Sequence, residues 1–172
     1  KELKKGARTR ISSDHDLILN ANIGKIDFSY WSNKNTYYGD VPLNKSMRTA
    51  QTNLKQNFGL VYEFETCDTL IQKIQHNMIK FKLEKNAETA VEIFDLIQLW
   101  GGGMGVKKFY YSGTRFDLDT WLPQYLDFIY LISEQGIERT VSISEALTKL
   151  LSIHGLGMSF ATKHLRFWSE LP

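Results

Sequence analysis

Gly155 and Gly157 stand between two stretches of helical apolar spacing, and no other feature restricts the fold of this chain as tightly. Within Ile153–Trp168, reading IHGLGMSFATKHLRFW, they mark a tight turn. A residue other than glycine is strained at positive φ, and a bare backbone lets a phosphate come close to the amides at a helix start. Upstream, Ser142-Ile143-Ser144-Glu145 has the form of a capping box, and Ala146, Leu147, Leu150 and Leu151 make the stripe of a short helix. Downstream, Ala161, Leu165 and Trp168 fall on one helical face. The chain should therefore carry two short helices joined by a hairpin near its C-terminal end.

Bulk properties narrow the function classes. With 172 residues the chain is long enough for one domain with its own core. A formal net charge of +2 rules out a polycation, so any nucleic-acid surface must be local. The single cysteine, Cys67, excludes an internal disulfide and a multi-cysteine metal site and fits a reducing compartment, which makes the cytoplasm the expected location. No apolar run approaches the roughly 18 residues of a membrane span, and the first residues lack the apolar core of a secretory signal. The chain starts at Lys1 without a methionine and stops soon after the hairpin's second helix, and it reads as a fragment.

Residues 1–10, KELKKGARTR, read as a solvated arm or a phosphate-contacting tail. From Ile11 to Phe64 the pattern is irregular and reads mostly as loop, with room for short strands near Lys25–Trp31 and Leu60–Phe64, where aromatic and β-branched residues alternate. Tyr30, Trp31, Tyr37 and Tyr38 could stack on bases, although packing is the ordinary use of such rings. After Cys67, Asp68 is the candidate N-cap of a helix carrying Leu70, Ile71, Ile74, Met78 and Phe81 at helical spacing. Asn86 can cap the next helix, whose stripe of Ala90, Val91, Phe94 and Ile97 is widened by Ile93 and Leu96, so that it should be central.

That helix runs into Trp100-Gly101-Gly102-Gly103-Met104-Gly105, which should end it abruptly. A P-loop is excluded, because Val106 stands where a lysine followed by serine or threonine would be needed. Lys107 and Lys108 nevertheless leave a phosphate-tracking loop open, beside the plain reading of a structural turn. Phe109, Tyr110 and Tyr111 form a short apolar run. Asp117 or Asp119 should cap a helix lined by Trp121, Leu122, Tyr125, Ile129 and Ile132, with Pro123 in its first turn and Gly136 ending it. The fold expected is mainly α: a helical domain over residues 67–172 with the hairpin at 142–168, and residues 1–66 as a basic arm and an aromatic-rich region packed on it.

The order of capped helix, apolar-x-Gly-apolar-Gly and Ala161 four places later resembles the helix-hairpin-helix DNA-binding motif. From about Phe81 onward the chain is similar to helix-hairpin-helix DNA glycosylases, in particular to bacterial proteins of the 8-oxoguanine DNA glycosylase fold, with WGGG (Trp100–Gly103) and GMSFATKHLRFW (Gly157–Trp168) as landmarks. The resemblance covers roughly half the chain. It implies a monomer that excises a modified base from double-stranded DNA, with no membrane partner and no cofactor beyond a monovalent cation at the hairpin. Gly155, Leu156, Gly157, His154 and Ser159 would lie against the phosphates, with Arg166, Lys107 and Lys108 adding charge. Trp100, Phe109, Tyr110, Trp121 and His164 would edge a base pocket, although for each ring the core is the more ordinary place.

Where the well-studied members carry a lysine two residues after the second hairpin glycine, this chain has Ser159; Lys163 stands one turn further on a similar face, and the resemblance makes it the candidate nucleophile. The partner aspartate would lie past Pro172. Asp117 and Asp119 read as caps rather than catalytic groups, and His154 and His164 are not at metal-ligand spacing. The other readings are a helix-hairpin-helix module that only holds duplex DNA, and a helical interaction protein whose Gly-Leu-Gly is simply a cap and turn.

Overall fold

A computed structural model of the chain describes residues 39–135 and 140–169. The chain is mainly helical, and no strand occurs among the described residues. In chain order the helices are α1 (Lys45–Phe58), α2 (Cys67–Glu84), α3 (Ala87–Gly101), α4 (Gly103–Tyr111), a 3-10 turn (Thr114–Phe116), α5 (Leu118–Gln135), α6 (Thr140–Leu151) and α7 (Met158–Ser169). None is long and apolar enough to cross a membrane.

Helix α3 is the axis. Every residue from Ile93 to Trp100 is buried, as its nearly continuous apolar sequence requires. Asn86 caps it as expected, its Oδ1 accepting from the N–H groups of Glu88 at 2.7 Å and Thr89 at 3.2 Å. Phe94 is the packing hub: its ring lies 4.5–4.9 Å from Phe109, Trp121, Tyr125 and His164, which come from α4, α5 and α7. Burial of each such large side chain contributes on the order of 1.5–3 kcal/mol, so α3 and the rings around it form much of the core.

Several expectations need correction. The stretch read as mostly loop contains α1, which buries Met47, Ala50 and Leu54 in the same core as the later helices. Only those three of its residues are fully buried, so its stripe is thin against a background of lysine, threonine and glutamine. Asn44 caps it, and Gly59 closes it at φ 68°. Leu60–Phe64 is not a strand; beyond it, Thr66 forms an isolated bridge with Pro42. Helix α2 is capped by Thr66, which exchanges hydrogen bonds with Thr69, while Asp68 sits in the first turn.

Helix α6 begins at Thr140, which puts Ser142 inside the helix rather than at its cap. Pro123 falls in the second turn of α5 rather than the first, at an exposed position. The arm at 1–10, the stacking candidates Tyr30, Trp31, Tyr37 and Tyr38, the strand at Lys25–Trp31 and Gly136 lie outside the described residues.

Candidate nucleic-acid interface

The hairpin is present. Helix α6 ends at Leu151, α7 starts at Met158, and Gly155 turns the chain at φ 88°, a conformation that only glycine adopts without strain. The turn is anchored from below by Ile153 and Leu156, both buried, and is closed by the Leu156 N–H donating to the Ile153 carbonyl at 3.0 Å. Leu156 therefore belongs to the core, and its side chain is not available to a phosphate.

His154, Gly157 and Ser159 are exposed, and a methyl placed on Gly157 would meet nothing within 4 Å. The carbonyl of Gly157 accepts from Phe160 and Ala161, which opens the helix. Helix geometry leaves the N–H groups of Gly157, Met158 and Ser159 without an intrahelical acceptor. None donates to a backbone carbonyl among the described residues. The positive end of α7 is thus presented at the surface.

The second glycine cluster, fifty residues earlier, comes to the same place. A Cβ on Gly155 would lie 3.1 Å from the Phe109 Cα and 3.3 Å from the Lys108 carbonyl oxygen, so the hairpin rests on the backbone of α4. Lys107 and Lys108 are exposed beside it. The loop expected to carry them is a helix instead: the glycine-rich stretch is a one-residue corner at Gly102, φ 86°, and the helix resumes at Gly103. The corner is tight because Gly102 lies against the Ser46 side chain and Gly101 against the Phe160 ring, which leaves no room for a Cβ on either.

Lys163 lies one turn into α7 and folds back toward the hairpin. Its Nζ donates to the Ser159 carbonyl at 3.0 Å and to Ser159 Oγ at 3.1 Å, and it stands 4.3 Å from the Phe160 ring centre. Burial holds this amine below the usual lysine range. Arg166, expected on an open helical face, is half-buried with its guanidinium 6.0 Å from the Trp100 ring.

The proposed base-pocket residues are interior. Trp100, Phe109, Tyr110 and Trp121 are at most 1% exposed, and each ring packs edge or face against another. His164 is wholly buried rather than at a pocket edge. Its Nε2 accepts from the Gln98 amide at 3.0 Å, and its Nδ1–H donates at 3.0 Å to the Tyr125 oxygen, which also accepts from Trp168 Nε1 at 3.0 Å. Burial, with the Lys163 charge adding to it, pushes His164 down to about 3, so the ring is neutral.

The sequence reading missed the fully buried Asp95. Arg115 grips it through two N–H groups at 2.8 and 2.7 Å, Tyr62 donates to it at 2.8 Å, and Tyr110 donates to its other oxygen. Burial, then the Asp95 charge, push both tyrosines upward. Burial alone would lower Arg115, but its hydrogen bonds to Asp95 and that carboxylate's charge more than offset this and raise it. The signal was present as a carboxylate within the stretch from Ile93 to Trp100, where Gln98 is the other polar residue. Among the described residues no cluster of three or more histidine, cysteine or acidic side chains could hold a metal. No protein-family model, curated protein or solved structure matches the chain.

Proposed function

We propose that the chain is a duplex-DNA glycosylase of the helix-hairpin-helix kind, with Lys163 as its nucleophilic amine. The supporting observation is the adjacency of an anion-ready helix start and a desolvated lysine. The exposed start of α7, with Lys107 and Lys108 beside it, suits a phosphate. The Lys163 amine, held below its usual range by burial, lies within one turn of that point.

In the reaction the Lys163 amine, once it has given up its extra proton, attacks C1′ of an extruded nucleotide as the N-glycosidic bond breaks, and the base leaves with the bonding electrons and takes up a proton. The nitrogen then gives up a proton, the C1′–O4′ bond breaks with O4′ taking up a proton, and the ring-opened Schiff base so formed is what borohydride would reduce. Asp95 is not the carboxylate that stabilises the sugar cation, because Arg115 already neutralises it in the interior.

The test has two parts. Duplex binding should weaken steeply with salt, and Lys107→Ala and Lys108→Ala should each reduce the slope by about 1. Borohydride should trap a covalent adduct on duplexes carrying oxidised bases, and Lys163→Ala should abolish it. An adduct that survives Lys163→Ala sinks the assignment. The burial of all four pocket aromatics favours a second reading, a module that holds duplex without cutting it. Salt-dependent binding with no adduct and no released base would select that reading.

A further inference from the structure

Beyond the hairpin, the surface carries three neighbouring aromatic rings that the DNA reading above does not use. Tyr111 is 57% and Phe116 51% exposed. Phe58 joins them, its ring 5.0 Å from Tyr111 at a steep angle and 5.8 Å from Phe116. Exposing large rings together is unusual for a surface that contacts only water. Phe58 is tied to the interior through Tyr110, 5.6 Å away. Phe116 belongs to the 3-10 turn and has the Arg115 guanidinium 5.8 Å from its ring. Arg115 is in turn clamped by Asp95. The buried ion pair thus fixes the turn that displays Phe116, and the rings form a rigid platform rather than a loose patch.

Charge indicates what the platform receives. Tyr111 lies one turn beyond Lys107 and Lys108 on α4, so exposed cations and ring follow one another along one side of that helix, starting beside the hairpin. Cations leading to exposed rings suit a nucleic-acid strand whose phosphates run past the lysines and whose bases have left the stack. Asp117 and Asp119 follow Phe116 and are exposed, so the strand approaches from the lysine side. We propose that Phe58, Tyr111 and Phe116 form a stacking platform for unpaired bases of DNA held at the hairpin.

This inference rests on the DNA-binding reading, and the experiment separates the two. The full chain is titrated with an intact duplex and with the same duplex carrying a central unpaired thymine tract. The expected result is tighter binding of the unpaired probe. Tyr111→Ala combined with Phe116→Ala should cost that probe about tenfold or more while changing the intact duplex by less than about twofold. Both rings are more than half exposed, so the variant should keep the wild-type melting temperature, which circular dichroism checks.

Equal binding of the two probes by the wild type, or no selective loss in the variant, overturns the platform and leaves the hairpin reading intact. Binding of the unpaired probe alone overturns the hairpin reading and, with it, a platform served by DNA held at the hairpin. Self-association of the wild type that the variant abolishes would assign the rings to a second copy of the chain and overturn the proposal.

Discussion

Two polar clusters branch from α3 within a single turn, and they hold different kinds of structure. At Asp95 the cluster is ionic. It ties together Tyr62 in the irregular segment between α1 and α2, Arg115 in a 3-10 turn and Tyr110 in a short helix. At Gln98 the cluster is neutral and joins helix to helix, through His164 and Trp168 on α7 and Tyr125 on α5. Irregular segments have few backbone ladders of their own, so directional charge-assisted bonds define their position. Packed helices already satisfy their backbones, and a single imidazole bridging two side chains is enough to set their rotation.

The largest effect should come from halving the ionic cluster. Arg115→Leu leaves the Asp95 charge buried and unpaired, and a loss of about 3–5 kcal/mol is expected in urea unfolding. Asp95→Leu with Arg115→Leu should cost clearly less than that single change, since the unpaired charge is gone. If the double variant is the worse of the two, the cluster is not held together in the way described.

The neutral cluster should be softer. His164→Leu leaves the Gln98 amide and the Tyr125 hydroxyl with a lost partner, for about 2–3 kcal/mol. Its pH signature differs too. His164 is held at about 3 when folded against 6.5 when free, so the unfolded state binds the extra proton between those values. Its contribution is complete above about pH 6.5 and falls as pH drops toward 3, by up to about 1.4 kcal/mol per unit. His164→Gln should flatten that limb of the pH–stability curve; an unchanged limb would mean that other groups produce it.

Smaller still are two changes outside both clusters. Gly155→Ala forces a side chain to φ 88° with α4 backbone 3.1 Å from its Cβ, and about 1–2 kcal/mol should be lost. Gly157→Ala, with open space around it, should change stability by less than about 0.5 kcal/mol. Lys149→Ala, which removes the exposed pair with Asp127, should leave the melting temperature nearly unmoved.

Legibility followed locality. The stripes of α2, α3, α5 and α7, the Asn86 cap and the two-glycine turn depend on residues within a few places of one another, so spacing alone reveals them. Helix α1 escaped notice because its buried stripe is thin, and the helical course of Gly103–Tyr111 because its glycines suggest a loop. Leu156 and His164 can serve a ligand by type, as can the aromatics for which the core was already the more ordinary place, and their neighbours claim all of them for the interior.

The sequence by itself determined a mainly helical chain, the position of its central helix and a hairpin that only glycine can turn, since helical periodicity and positive φ are properties of short segments. Tertiary structure alone decided that Asp95 meets Tyr62 and Arg115 across 33 and 20 residues, that Gln98 meets His164 across 66, and that the α4 backbone at Lys108 and Phe109 lies against Gly155. Burial favours those pairings, because a polar group removed from water is costly unless it meets a partner, wherever the chain happens to place one.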